Sequence, residues 1–269
     1  MEFMQYTFMQ RALAAGVLIS FLTGMVSFFI TSKNLAFLGE GISHISFGGL
    51  ALAVLLGIHP LLGALVFALF AGFSIARISL NSRISEDTSI GILVSFSMAL
   101  GIILLSYKKG YTSDLLSFLF GSILTITPAD MLFILGSAVL AGSVFYRYFN
   151  QFLMLVFDRE YGRIMRLPVD RYYYLLIFLI ICTILSLIKI TGVVLLTGLL
   201  VLPGATSYLL ARNYREQVLF SILTAFINIM LGLVLSYYLN WPSGATIVIL
   251  STIVFSVIIM IKGAGKRGK

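Results

Sequence analysis

The chain is poor in charge and in cysteine. Only 10% of its 269 residues are charged, whereas 60% are hydrophobic. The mean hydropathy of +1.07 excludes a water-soluble globular protein and indicates an integral membrane protein. The single cysteine, Cys182, lies within an apolar run and excludes an intrachain disulfide.

Enzyme motifs are also missing. The sequence holds no His-Glu-x-x-His, no Gly-x-Ser-x-Gly, no Walker lysine loop and no Cys-x-x-Cys. We therefore expect a protein that is not an enzyme and binds no permanent cofactor, so that energy for any uphill transport comes from elsewhere. The net charge of +8 does not require nucleic acid as a partner, because Lys and Arg lie mainly in short connections, where they set membrane topology.

Long apolar runs are what the sequence does contain. A bilayer core takes about 20 apolar residues per helix, and the runs predict an all-α, polytopic transmembrane bundle with about nine spans (eight to nine) in one domain, 1–269. A tenth patch, 115–124, is too short to cross and predicts a re-entrant or surface helix. The nine runs cover residues 7–30, 36–57, 61–79, 88–107, 129–149, 172–189, 192–211, 217–239 and 244–261.

Basic residues indicate the orientation in the cell membrane. All but four of the 18 Lys and Arg residues fall in one alternate set of connections. The positive-inside rule then places the N-terminus outside and the C-terminus in the cytoplasm. The four exceptions are Arg11, Lys108, Lys109 and Lys189.

Glu40 is the one carboxylate, among ten acidic residues, that lies well inside an apolar run. A charge at membrane depth costs on the order of 3 kcal/mol or more, so it marks a pathway or a site by default. His44 follows four residues later on the same helix face, about 12 Å into the span. The alternative is that Glu40 hydrogen-bonds His44 or nearby backbone and only fixes helix packing.

A carboxylate with a neutral imidazole suits Mn²⁺, Fe²⁺ or Zn²⁺. Two ligands are too few for a closed site, but a two-fold homodimer would bring two copies of Glu40 and His44 together and give a transient permeation site. The glycines around the pair indicate either close helix packing or local unwinding. These are Gly39, Gly41, Gly48 and Gly49.

Three other stretches carry possible roles. Glu86 and Asp87 precede the fourth run, where Ser or Asp caps the helix and carboxylates favour its N-terminus; the alternative is a metal exit or gate contact. Pro203 and Gly204 predict a kink or break, either structural or a gate. An amphipathic helix over about 158–168, ended by Pro168, either lies on membrane lipid or docks into a soluble partner.

Taken together, five stretches resemble the permease subunits of ATP-binding-cassette importers for manganese, zinc and iron: residues 35–65, 86–102, 115–124, 157–170 and 191–210. The resemblance implies a homodimer, a separate cytoplasmic ATPase that hydrolyses ATP, and an extracytoplasmic metal-binding protein. The acidic residue and His of the family fall on Glu40 and His44, with Asp the usual residue at the first position. The acidic pair of the family falls on Glu86 and Asp87.

The resemblance also implies a cytoplasmic coupling helix that receives the motion of the ATPase, which favours partner docking over the lipid surface for 158–168. Its residues are Asp158, Arg159, Glu160, Tyr161, Arg163, Met165, Arg166, Leu167 and Pro168. We expect the membrane subunit of an ATP-driven Mn, Zn or Fe importer. The rivals are a permease for chelated iron, haem or cobalamin and, from another class, an intramembrane metal-dependent hydrolase.

Overall fold

The computed structural model describes residues 6–82, 84–107, 121, 126–157 and 159–266. The regular structure of these residues is entirely helical, and it confirms the all-α expectation. The helices are α1 (Thr7–Ser32), α2 (Ala36–Leu56), α3 (Pro60–Asn81), α4 (Glu86–Ser106), α5 (Pro128–Phe157), α6 (Arg159–Ile164), α7 (Val169–Leu210), α8 (Tyr214–Leu239) and α9 (Ser243–Lys266).

Eight segments in the described part of the chain are helical, apolar and long enough to cross a membrane, which confirms a multi-pass bundle. The seventh predicted run, 192–211, is instead a helix of 16 residues, Leu195–Leu210. It forms the second half of α7, and Val169–Ile188 forms the first. The predicted re-entrant segment, 115–124, lies outside the described residues apart from Gly121.

The break within α7 falls at Gly192 rather than at Pro203. Gly192 has φ 73° and ψ 166°, a conformation that favours glycine. Pro203 and Gly204 lie inside the helix. The Gly204 amide donates to Ser27 Oγ on α1 at 2.7 Å, so a side chain of a neighbouring helix binds a backbone donor beside the proline.

The chain forms two compact units. The first comprises Met1–Ala36, Asp114–Val139 and Ser186–Lys269; the second comprises Phe37–Ser113 and Leu140–Leu185. Both units draw on segments distant in sequence, since α5 and α7 each contribute to both. The expectation of one transmembrane domain over the whole chain stays a prediction.

Small residues bring α1 and α8 together in the first unit. At Gly24 the helices approach so closely that an added Cβ would overlap Cα of Ile222 and lie 2.7 Å from its backbone nitrogen. At the same crossing, Ser221 Oγ donates to the Gly24 carbonyl at 2.7 Å. Close backbone approach with interhelical hydrogen bonds is the usual packing of membrane helices.

We expect Gly24→Ala to destabilise the first unit, because backbone atoms cannot yield to the new methyl group as a flexible side chain can. Overpacking of this kind costs about 1–3 kcal/mol. Thermal unfolding of the purified protein in detergent should show a midpoint several degrees lower. Gly136→Ala is the matched control, since its Cβ would meet nothing within 4 Å; equal midpoints for the two variants would contradict the packing argument.

In the second unit, α2 packs against both α3 and α4 through glycines. A Cβ on Gly48 would lie 2.7 Å from the carbonyl oxygen of Ser97 on α4, and a Cβ on Gly41 would overlap Ile90 of the same helix. A Cβ on Gly63 of α3 would lie 2.6 Å from the Gly49 carbonyl. Because α2 is helical throughout Ala36–Leu56, its glycines serve close packing and not unwinding.

Candidate functional site

The burial pattern of α2 singles out two residues. From Leu38 to Ala51 every residue is buried except Glu40 and His44, which are partly exposed. Residues four apart lie about one turn from each other on the same helix face. The two ionisable side chains of this segment therefore occupy its one accessible stripe, while Gly41, Gly48 and Gly49 face neighbouring helices.

Other polar side chains of α2 are satisfied within the helix. Ser43 Oγ donates to the Gly39 carbonyl and Ser46 Oγ donates to the Ile42 carbonyl, each at 2.7 Å. Within the described residues, neither Glu40 nor His44 forms a hydrogen bond or ion pair with another side chain. Their carboxylate and imidazole therefore lie on the accessible stripe, and a metal-binding role for them stays a prediction.

The described residues hold two neighbouring candidate metal donors on α2. Among these residues, no three His, Cys, Asp or Glu side chains lie close enough together to hold a metal ion. Glu40 and His44 offer one carboxylate and one imidazole, and this pair suits Mn²⁺, Fe²⁺ or Zn²⁺, whereas Ca²⁺ prefers oxygen ligands alone. A metal site at this pair stays a prediction.

Glu86 and Asp87 begin α4, and the predicted capping is confirmed. Ser85 is the N-cap residue, and its hydroxyl accepts from the Thr88 amide at 3.2 Å. Asp87 is exposed, whereas Glu86 is half-buried and already holds two partners. Its Oε1 accepts hydrogen bonds from Ser79 Oγ at 2.9 Å and from the Tyr173 hydroxyl at 2.6 Å. A metal role for either acid stays a prediction.

The predicted helix over about 158–168 is shorter than expected. It is α6, which ends at Ile164, and Asp158 lies outside the described residues. The chain leaves the helix through a left-handed residue, Arg166, with φ 54°. The Arg166 amide donates to the Arg163 carbonyl and the Leu167 amide to the Gly162 carbonyl, which is a Schellman motif. This motif, more than Pro168, ends the helix.

Ion pairs fix α6 to the start of α7. Asp170 Oδ1 lies 3.7 Å from Arg159 Nη2 and 3.4 Å from Arg163 Nη2. The residues from Arg163 to Pro168 are exposed, including Ile164 at 77% and Met165 at 57%. Exposed apolar side chains thus lie beside paired charges on this turn, and docking of an ATPase here stays a prediction.

Sequence reasoning missed Tyr173. It is the middle of three consecutive tyrosines in an apolar run, and nothing in that run distinguishes it from Tyr172 or Tyr174. Its hydrogen-bond partner, Glu86, lies 87 residues earlier in the chain. The one available signal was chemical: a tyrosine hydroxyl buried at a helix end needs a partner.

The fold and the site define a polytopic membrane protein with an accessible acid and imidazole on one helix. The model of the ABC 3 transport family matches residues 5–262. The chain therefore belongs to the ABC 3 transport family, and it is a membrane permease rather than an enzyme. The resemblance to permease subunits of metal-ion importers, inferred from the sequence, is confirmed.

Two relatives carry manganese in their names. The chain is 32% identical over 254 residues to the manganese transport system membrane protein MntC of Listeria monocytogenes, covering 94% of this chain and 90% of the relative. It is 36% identical over 260 residues to the manganese import system permease protein ScaB of Streptococcus gordonii, covering 95% and 93%. A probable iron transport system membrane protein of Haemophilus influenzae is 29% identical over 261 residues, covering 96% and 94%.

Two solved structures share the fold. One is PsaBC of Streptococcus pneumoniae in complex with Fab, with a TM-score of 0.84 and 32% identity over 95% of this chain and 92% of that chain. The other is the inward-facing conformation of a metal-chelate type ABC transporter. Its TM-score is 0.73, and the match covers 94% of this chain and 85% of that chain. At 16% identity the second likeness shows the fold alone.

Proposed function

We propose that this chain is the membrane subunit of an ATP-driven importer that moves Mn²⁺ or Fe²⁺ across the cell membrane. The observation that carries the proposal is the accessible stripe on α2, where Glu40 and His44 are the two partly exposed residues in a buried segment. An ionisable pair at membrane depth indicates a pathway. Relatives named for manganese and for iron support the choice of cargo.

The complete cargo site forms in a homodimer. The partly exposed side chains of Glu40 and His44 would face lipid at a high free-energy cost unless another protein surface covers them. A second copy related by a two-fold axis covers both stripes at once and brings two carboxylates and two imidazoles to one ion. Four donors shared between two chains bind the ion and still release it, which a permeation site needs.

Two kinds of partner complete the importer. A cytoplasmic ATPase dimer hydrolyses ATP and docks at the end of α6. The exposed side chains of Ile164 and Met165 there give the ATPase an apolar anchor. An extracytoplasmic metal-binding protein delivers the ion at the opposite face. Support comes from membership in an ABC transport family and from PsaBC, a related structure at 32% identity.

The C-terminus lies in the cytoplasm in this proposal. In the first unit, contacts bring the end of α1 beside the start of α8 and the end of α7 beside α9. Gln217 Nε2 donates to Ser32 Oγ, and Lys262 Nζ donates to the Leu209 carbonyl. Arg212 and Arg215 belong to the same region of the chain, so this basic end supports a cytoplasmic side under the positive-inside rule.

A permease for chelated iron, haem or cobalamin is the second candidate, because the metal-chelate type transporter shares the fold. An accessible carboxylate and imidazole favour a bare ion over a chelate, whose metal already has its ligands. A metal-dependent hydrolase is less favoured, since the part of the chain that the structure describes places no third His, Cys, Asp or Glu beside Glu40 and His44 to complete a catalytic site.

The test is ATP hydrolysis by the permease co-purified with its ATPase and binding protein. Free Mn²⁺ or Fe²⁺ at micromolar concentration should stimulate hydrolysis, while haem, cobalamin and ferric chelates should neither stimulate it nor compete. Zn²⁺ is tested in parallel, because the donor pair also suits it. Stimulation by a chelate and not by free ions would favour the second candidate.

A further inference from the structure

A chain of contacts begins at the first residue of α6. The guanidinium carbon of Arg159 lies 4.7 Å from the centroid of the Tyr173 ring, within range of a cation–π interaction. The same guanidinium lies 3.7 Å from the carboxylate of Asp170, and its side chain is only 22% exposed. A displacement of α6 therefore moves a charged group that rests directly on Tyr173.

Tyr173 in turn holds the start of α4. Its side chain is fully buried, and its hydroxyl donates to Glu86 Oε1 at 2.6 Å. Ser79, near the end of α3, donates to the same oxygen at 2.9 Å. Glu86 is the first residue of α4, so one carboxylate oxygen joins α3, α4 and α7. A hydrogen bond to a charged acceptor is among the strong ones in proteins.

The next step runs from α4 to the cargo stripe. Ile90 lies one turn beyond Glu86 and packs on Gly41, where an added Cβ would overlap its Cγ2. Gly41 immediately follows Glu40 in α2. Because this contact leaves no free space, a shift of the first turns of α4 presses on or releases the backbone beside Glu40.

We propose that the Tyr173–Glu86 hydrogen bond is the link that carries motion of α6 to the cargo site on α2. Tyr173 is a positioning residue: it contacts neither cargo nor ATP and acts through α4. The inference rests on the proposed function, in which α6 receives the motion of the ATPase. It adds a defined mechanical role for Glu86, which sequence reasoning offered as a metal contact.

The first test is Tyr173→Phe in the purified importer reconstituted into proteoliposomes. This change removes the hydroxyl and keeps the buried ring under Arg159. We expect the number of Mn²⁺ ions imported per ATP hydrolysed to fall at least about threefold, within the range known for coupling residues. Assembly with the ATPase and Mn²⁺ binding to the permease should match wild type. Tyr172→Phe is the matched control, because the Tyr172 ring contacts Tyr148 at 5.8 Å instead.

An unchanged import ratio in Tyr173→Phe would overturn the link, as would equal losses in both tyrosine variants. A purely structural role would lower assembly or folded yield and leave the import ratio of the assembled complex intact. This experiment distinguishes failure of the proposed function from failure of the Tyr173–Glu86 link. Uptake by the wild-type complex reports on the proposed function, whereas the ratio of variant to wild type reports on the link.

Variants of Glu86 distinguish a mechanical link from a metal contact. Glu86→Gln keeps an oxygen that accepts from Tyr173 and Ser79, so its import ratio should stay within about twofold of wild type. The import ratio of Glu86→Ala should fall at least as far as that of Tyr173→Phe, since this change also removes the Ser79 hydrogen bond. The double variant should fall no further than Glu86→Ala, because Tyr173 acts through Glu86. Additive losses, or equal loss in the Gln and Ala variants, would contradict the link.

Discussion

Cells that depend on this importer should lose most of their imported manganese when either Glu40 or His44 is replaced by Ala. These two side chains are the accessible polar groups of α2 between Leu38 and Ala51. Removal of a group that only supports a metal ligand costs about 10–100-fold in affinity, and loss of a ligand itself costs at least as much. Accumulation of Mn²⁺, measured by mass spectrometry of washed cells, should fall at least tenfold by the same argument.

The chain offers matched controls for this prediction. Glu40→Asp keeps the carboxylate and carries the usual residue of the family, so it should retain import. Ser43 lies between the two donors, but its hydroxyl only donates to the Gly39 carbonyl of the same helix. Import by Ser43→Ala should therefore be close to wild type. Near-normal accumulation in both Glu40→Ala and His44→Ala would contradict the proposed site.

Replacement of the exposed apolar residues at the end of α6, Ile164 and Met165, should release the ATPase from the membrane subunit. Ile164 is 77% exposed and Met165 is 57% exposed, and buried apolar anchors carry most of the energy at an interface. A carboxylate at either position would have to be desolvated on docking. In a pull-down with tagged ATPase, Ile164→Asp and Met165→Asp should each reduce recovery of the permease by roughly tenfold or more.

Removal of a neighbouring charge gives the comparison. Arg163 pairs with Asp170, so Arg163→Ala would remove one of two ion pairs that Asp170 makes, while Arg159 keeps the other. Exposed ion pairs contribute about 0–1 kcal/mol, so association should be only slightly weakened. Full association of Ile164→Asp and Met165→Asp would indicate that this segment lies on lipid instead.

The fold was readable from the sequence wherever helices are long and apolar. The eight helices of spanning length coincide with predicted runs, because about 20 consecutive apolar residues have few alternatives in a membrane. The break in α7 was not readable. Pro203 gave the stronger local signal, yet it lies inside the helix, where Ser27 of α1 accepts from the adjacent Gly204 amide, and the break falls at Gly192.

Some features of the candidate site could likewise be predicted from the sequence, and others could not. Glu40 and His44 could be found from sequence, since charge inside an apolar run is rare and a spacing of four fixes their shared face. The solvent accessibility of these two side chains could not be predicted from the sequence, because it depends on glycine contacts of α2 with α3 and α4. The partners of Glu86 were equally hidden, because Tyr173 and Ser79 reach it through tertiary packing.

Uptake of Mn²⁺ into proteoliposomes that hold the purified permease, its ATPase and its binding protein is the decisive measurement for Glu40 and His44 as the cargo site. We expect ATP-dependent uptake by wild type and at least a tenfold loss in the Glu40→Gln, His44→Ala double variant, with normal assembly of the complex. ATP-dependent uptake by the double variant at the wild-type rate would show that the two residues are not the cargo site.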